Sequence, residues 1–121
     1  MRILIIHSDD DEAKRIHRAA LQVWGGPQLV QVEIIRRPSM IDRWLADQTR
    51  WPDVILANVG FMERHIRLAR QLETHPARGF YRLLALSTGS DEYVRALLQR
   101  CPDEIVLEPV TRHKLLTALC L

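Results

Sequence analysis

Five side chains that can do acid–base, nucleophilic or ligand chemistry stand at the ends of short apolar runs in this sequence. His7 and Ser8 follow the run RILII, Asn58 follows VILA, Ser87 follows LLAL and Glu108 follows EIVL. The amide at position 58 is a poor nucleophile and has no titratable anion near neutral pH. Whether these side chains act together depends on the fold that positions them.

Strand-like and helix-like segments alternate along the whole chain, and together they predict a single α/β domain over residues 1–121. Apolar runs predict strands at 2–6, 29–35, 53–57, 82–87 and 104–107. Helical periodicity and the cap residues Ser8, Ser39, Ser90 and Thr111 predict helices at 9–23, 40–48, 61–75, 91–101 and 112–121. The resulting (βα)5 order is typical of a three-layer sandwich around a five-stranded parallel sheet. Functional groups in such folds collect outside the carboxyl ends of the strands.

Four segments carry a resemblance to the receiver domains of two-component response regulators. They are ILIIHSDDDEAKRI, PDVILANV, LLALSTGSDEYVRALL and DEIVLEPVTRHKLL, where a likeness that covers essentially the whole chain is strongest. The resemblance implies a flavodoxin-like sheet with the strand order 2-1-3-4-5. In that family an aspartate ending the third strand accepts a phosphoryl group, and two acidic residues after the first strand hold Mg²⁺. A Ser or Thr after the fourth strand and a Lys after the fifth contact the phosphoryl group.

The residues at these positions depart from the family pattern, and only the hydroxyl of Ser87 matches it. His7 and Ser8 replace the acidic pair, Asn58 replaces the acceptor, and Glu108 replaces the lysine. Neutral His7 and Ser8 are weak ligands for Mg²⁺, and a carboxylate at 108 repels the phosphoryl group that a cation would clamp. The sequence therefore predicts a degenerate phosphorylation pocket, with no catalytic activity, no metal and no cofactor.

Four other interpretations of these residues stay open. A shift in register would bring Asp9 into the metal site, although carboxylates at 9–12 also suit the first turn of a helix. A working receiver would then need an atypical acceptor such as Ser87 or Asp9. A small flavodoxin-like ligand-binding domain is the third, but the acidic HSDDDE segment would repel phosphates. Finally, His7 could pair with Glu108, either as a pH sensor or simply to fill space.

In the last helix, RHKLLTALCL, the segment LLTALCL is apolar nearly all round, which is more than one buried face requires. The resemblance also implies that receivers dimerise or engage output domains through their last two helices. The predicted interaction surface comprises Tyr93, Val94, Leu98, Leu115 and Leu119. It would serve a protein partner, an output domain or a second copy of the chain. The alternative is that the tail frays after Ala118.

Basic side chains recur at helical spacing, but no recognition motif accompanies them. They are Arg64, Arg67 and Arg70 in one predicted helix and Lys14, Arg15 and Arg18 in another. Because carboxylates lie close by and the net charge is only +2, a solvated face is favoured over a surface that binds an acidic partner or nucleic acid directly.

Composition and cysteine usage indicate a soluble cytoplasmic protein. The chain has 121 residues, 47% hydrophobic and 26% charged, and its first apolar run is too short for a signal peptide or a membrane span. Cys101 and Cys120 form no CxxC motif. Because the chain stops inside an apolar helix, it is expected to be the N-terminal part of a larger signalling protein. Together these features predict a phosphorylation-independent pseudo-receiver, a regulatory interaction or dimerisation module in bacterial two-component-type or cyclic-dinucleotide signalling.

Overall fold

The fold is a parallel sheet in the predicted strand order. The computed structural model describes residues 1–46, 52–75, 79, 81–87 and 103–119. Within them the strands are β1 (Arg2–Ile6), β2 (Gln31–Ile35), β3 (Val54–Asn58), β4 (Arg82–Ser87) and β5 (Glu104–Leu107). All four pairings are parallel, and the order across the sheet is β2-β1-β3-β4-β5. The fold class and the strand order predicted from the sequence are confirmed.

The described helices are α1 (Asp10–Trp24), α2 (Pro38–Ala46), α3 (Val59–Arg64), α4 (Ile66–Glu73) and α5 (Arg112–Leu119). The single helix predicted over 61–75 is wrong, because the chain leaves helical geometry at His65, with φ −126° and ψ 58°. The His65 ring packs against Phe61, with 4.7 Å between the ring centroids. The helix predicted at 91–101, with Tyr93, Val94 and Leu98, lies outside the described residues.

Helix capping differs from the prediction at two of the three described caps. Asp9 caps α1 instead of Ser8, since its carboxylate accepts a hydrogen bond from the Glu12 N–H at 3.0 Å. The second helix begins at Pro38, ahead of the predicted cap Ser39, and proline is well suited to the first helical position. The Thr111 cap is confirmed by its hydroxyl, which accepts the Lys114 N–H at 3.2 Å.

Both faces of the sheet are covered, which explains the continuous apolar runs of its central strands. Ile3 and Ile5 of β1 belong to the buried cluster that also contains α1 and α5 residues. Leu4 and Ile6 belong to the cluster on the opposite face, which includes residues of α2 and α4. At the edge of the sheet, β2 alternates exposed and partly buried residues along most of its length, as its alternating pattern predicts.

The predicted interaction surface is wrong at Leu115 and Leu119. Their side chains are 0% and 6% exposed, because they face α1 and the sheet in the first buried cluster. Of the described leucines in α5, Leu116 is the one on the outer side, at 36% exposed. Among the ranges that the structure describes, no helix combines the length and the apolar character needed to cross a bilayer.

Candidate functional site

The register of the sheet brings the polar strand ends to one edge. Ile6 pairs with Ala57, Asn58 with Leu86, and Ser87 with Leu107. His7, Asn58, Ser87 and Glu108 therefore follow one another across three neighbouring strand junctions. They open onto a cleft of about 230 Å³. The cleft is lined by His7, Ser8, Asp9, Asn58, Val59, Gly60, Arg64, Leu86, Ser87 and Glu108. All six residues predicted for the degenerate pocket are thus in one place.

The ring of His7 is buried, and hydrogen bonds engage both of its nitrogens. Its Nδ1 accepts the backbone N–H of Asp9 at 3.0 Å. A backbone N–H can only donate, so Nδ1 carries no proton and the proton of the neutral ring is on Nε2. Nε2 lies 2.7 Å from Oε1 of Glu108 and donates to it. The backbone at the start of α1 therefore sets the tautomer of His7.

Asn58 is oriented in the same way by the backbone of α3. It is the N-cap of that helix, and its Oδ1 accepts the Phe61 N–H at 2.9 Å. Because the oxygen faces this donor, the amide nitrogen Nδ2 points into the cleft and donates to Oε1 of Glu108 at 3.0 Å. Asn58 is thus both a helix cap and a donor to the cleft, and both functional groups of its side chain are engaged.

Glu108 is the acceptor on which these two hydrogen bonds converge. Its side chain is only 11% exposed, and Oε1 receives the donors from His7 and Asn58. Burial raises the pKa of the Glu108 carboxyl, but the hydrogen bonds from His7 and Asn58 lower it by more, so the pKa lies below its ordinary 4.5. The structure therefore places an ionised carboxylate at the centre of the cleft.

Every bond in this chain of hydrogen bonds donates in the direction of Glu108, from both ends of the chain. It runs from the Asp9 N–H through His7 to Glu108, and from the Phe61 N–H through Asn58 to the same oxygen. Two helix N-termini and the loop after β5 are thereby tied to one atom. Since both terminal donors are backbone groups, the direction of every bond in the chain is determined.

Asp9 and Ser8 lie at the rim of the cleft. The hydrogen bond from the Glu12 N–H lowers the pKa of the Asp9 carboxyl, which is committed to capping α1. The hydroxyl of Ser8 accepts a hydrogen bond from the Arg64 guanidinium at 2.9 Å. Over the ranges with described coordinates, no group of three or more His, Cys, Asp or Glu residues is arranged to hold a metal ion.

Ser87 is 1% exposed, and its backbone carbonyl accepts the Glu108 N–H at 2.7 Å. This bond continues the β4–β5 pairing by one residue beyond β5. The peptide bond that follows, between Glu108 and Pro109, is cis. The loop is thus held at the strand ends before it turns toward α5.

The sequence did not predict a role for the two residues that hold this loop in place, Glu12 and Lys114. Oε1 of Glu12 accepts the Val110 N–H at 2.9 Å. Nζ of Lys114 lies 3.0 Å from the carbonyl oxygen of Pro109 and 3.3 Å from that of Leu107. No sequence signal identifies them, since a glutamate in a first helical turn and a lysine near a cap are ordinary at the surface.

Solved structures similar to this chain include several receiver domains. The receiver domain of a histidine kinase from Syntrophus aciditrophicus is 22% identical, with a TM-score of 0.73 over 94% of this chain and 83% of that one. A histidine-kinase receiver domain from Clostridium thermocellum is 10% identical, with a TM-score of 0.77 over 99% and 98%. The chemotaxis response regulator CheY4 of Vibrio cholerae is 16% identical, with a TM-score of 0.71 over 98% and 94%.

No protein-family model matches the sequence, and no curated protein matches it either. The chain nevertheless has the receiver-domain fold, and the resemblance found in its sequence is confirmed at that level.

Proposed function

We propose that this chain is a pseudo-receiver, a signalling domain that acts through protein–protein contacts without being phosphorylated. The observation that carries the proposal is the convergence of His7 and Asn58 on one oxygen of Glu108. The cleft that holds a reactive aspartate in a working receiver holds a fully engaged amide here. The likeness in fold to receiver domains supports a role in two-component-type signalling, as the family resemblance implies.

The chemistry of the cleft argues against phosphoryl transfer. Asn58 has no anionic oxygen to attack phosphorus, and its amide is committed to Phe61 and Glu108. Both nitrogens of His7 are engaged, so neither is available to a cation. The carboxylate of Glu108 repels an incoming phosphoryl group. Of the two atypical acceptors considered, Ser87 is almost fully buried and Asp9 caps a helix.

The hydrogen-bond chain also suggests how such a domain would work. Because it ties two helix N-termini to the loop after β5, it favours one arrangement of the strand ends over a two-state switch. Docking would then be constitutive. An output domain or a second copy would bind through the last two helices, where Tyr93, Val94 and Leu98 stay as predictions and Leu115 and Leu119 are excluded by their burial.

An amide NMR titration with Mg²⁺ and beryllofluoride, which mimics an aspartyl phosphate, tests this proposal. We expect no saturable shifts at Asn58, Ser87 and Glu108. The control is the variant His7→Asp/Ser8→Asp/Asn58→Asp/Glu108→Lys, which restores the receiver pattern and should respond to the same additions. Saturable shifts in the unmodified chain would overturn the proposal.

A further inference from the structure

Four exposed arginines, in or next to α2 and α4, form no ion pair with any residue that the structure describes. Arg37 precedes α2, Arg43 lies in its last turn, and Arg67 and Arg70 lie in α4. None of them forms a salt bridge with any residue that the structure describes; the arginines that do so are Arg15 and Arg36. Arg64 of the predicted basic stripe is separated from this group, since it lies in α3 and donates to Ser8.

The two helices bring these arginines to one side of the molecule. Ile41 of α2 and Ala69 and Leu72 of α4 share one buried cluster against the sheet, and the helices pack against each other. Their outer sides therefore form a continuous surface. Arg37, the residue before α2, and Met40 and Arg43 of that helix follow at intervals of three residues, as expected for one side of a helix.

The same surface exposes two large apolar side chains. Met40 is 38% exposed and Ile66 is 42% exposed, one on each helix among the arginines. Segments 37–43 and 66–73, which carry this surface, together hold four arginines, two carboxylate residues and no lysine. Their excess of two positive charges equals the net charge of +2 of the whole chain, so the rest of the sequence is neutral on balance and this surface is the more basic part.

We infer that the α2–α4 surface, defined by Arg37, Met40, Arg43, Ile66, Arg67 and Arg70, binds an acidic polypeptide segment that carries an apolar side chain. Guanidinium groups present paired donors that match the two oxygens of a carboxylate. Arginine and methionine are also enriched at protein–protein interfaces. The exposed Met40 and Ile66 favour a polypeptide over a nucleic acid backbone, which would leave them without an apolar partner. This surface is distinct from the cleft, so the inference does not depend on whether the cleft is phosphorylated.

Fluorescence anisotropy with a defined probe tests the inference. The probe is a labelled peptide of about twelve Asp and Glu residues with one central leucine. We expect saturable binding that weakens as NaCl is raised from about 50 to about 300 mM, because the Debye length shortens. We expect the double variant Arg67→Glu/Arg70→Glu to bind at least about tenfold more weakly, as loss of two charge pairs implies.

The matched control is Lys14→Glu/Arg18→Glu, which makes the same change in net charge on α1, across the sheet. Both of its side chains are exposed and make no described salt bridge. It should alter binding by less than about twofold, as expected for charges outside the interface. Arg67→Gln/Arg70→Gln tests the same site without charge reversal and should show an intermediate loss. Ile66→Ser should weaken binding of the peptide with the central leucine. It should not weaken binding of a peptide in which that leucine is replaced by alanine.

Three results would overturn the inference. The first is an absence of saturable binding by the acidic peptide. The second is an equal loss of binding in the α4 and α1 variants, which would indicate non-specific attraction. The third is tighter binding of single-stranded DNA or of anionic phosphatidylglycerol vesicles at the same arginines, which would assign the surface to a different class of partner.

Discussion

The cleft at the strand ends and the α2–α4 surface differ in how their polar groups are bonded and how far they are exposed to solvent. In the cleft, His7, Asn58 and Glu108 are buried or nearly so, and both His7 and Asn58 donate hydrogen bonds to Glu108. On the α2–α4 surface, arginines such as Arg67 and Arg70 face solvent without an ionic partner among the described residues. Groups that satisfy one another stabilise the fold, whereas unpaired exposed groups remain available to a partner. The contrast predicts that substitutions in the cleft alter stability and substitutions on the surface alter binding.

The largest effect is expected for Glu108→Lys. A lysine can only donate, so the buried donors on His7 and Asn58 lose their acceptor, at a cost of about 3 kcal/mol in the free energy of unfolding. Urea denaturation at pH 7 measures this loss. In the matched control Glu108→Gln, the amide oxygen still accepts both hydrogen bonds, and the loss should be about 1 kcal/mol or less. Equal losses in the two variants would show that the two hydrogen bonds to Oε1 of Glu108 do not contribute to the free energy of unfolding.

Asn58→Asp should have the next largest effect. It removes the donor to Glu108 and places a second carboxylate where the amide nitrogen was, 3.0 Å from Oε1. The expected loss is about 2 kcal/mol near pH 7. Combined with Glu108→Lys, the new aspartate gains a cation as its neighbour, so the double variant should be more stable than the sum of the single losses by about 1–2 kcal/mol. Strict additivity would contradict direct contact between the two positions.

A smaller effect distinguishes the two candidate caps of α1. Asp9→Ala removes the acceptor for the Glu12 N–H and should lower the free energy of unfolding by more than Ser8→Ala does. Ser8→Ala removes only an exposed hydrogen bond with Arg64 and should change stability by less than about 0.5 kcal/mol. Thermal and urea unfolding of both variants measure the difference, and the reverse order would restore Ser8 as the cap.

The pH dependence of stability should report the ionised state of Glu108. Its pKa in the folded chain lies below the ordinary 4.5, so around that pH the unfolded chain binds more protons and stability rises with pH. The contribution is fully present above about pH 4.5 and is lost as the pH falls through the folded pKa. The stability advantage over Glu108→Gln should therefore be constant from pH 7 to pH 5 and shrink below that. An advantage that grows on acidification would contradict the assignment.

The smallest effect on stability is expected on the α2–α4 surface. Arg67→Gln/Arg70→Gln removes exposed charges that make no described salt bridge, and the free energy of unfolding should change by less than about 0.5 kcal/mol. Urea denaturation tests this directly. A loss of stability as large as that of Glu108→Lys would contradict the prediction that the α2–α4 surface contributes little to the stability of the fold.

Much of the fold could be predicted from the sequence because its strands are strongly apolar and its segments alternate. The sequence also predicts which polar residues meet at one edge of the sheet, because the carboxyl ends of parallel strands lie at the same edge. These residues are His7, Asn58, Ser87 and Glu108. Two features could not be predicted from the sequence. The break at His65 has no glycine or proline to signal it, and the mainly apolar segment LLTAL of α5 does not reveal that Leu115 and Leu119 face inward.

The arrangement inside the cleft could be anticipated only in part. The sequence suggests a pairing of His7 with Glu108, but the direction of each hydrogen bond depends on the backbone N–H groups of Asp9 and Phe61. Those contacts arise only once α1 and α3 begin where they do. The α2–α4 surface likewise depends on how two helices pack, so Arg37 and Arg43 could not be grouped with Arg67 and Arg70 from their spacing along the chain.

Glu108 occupies the cleft and accepts hydrogen bonds from both His7 and Asn58. A long-range ¹H–¹⁵N NMR correlation spectrum of the histidine rings at pH 7.5 tests this arrangement, with His7→Gln to assign the His7 signals. The structure predicts a neutral His7 ring with its proton on Nε2 and an unprotonated Nδ1. A proton on Nδ1, in either the other neutral tautomer or the imidazolium, would break the hydrogen bond from Asp9 and contradict the account.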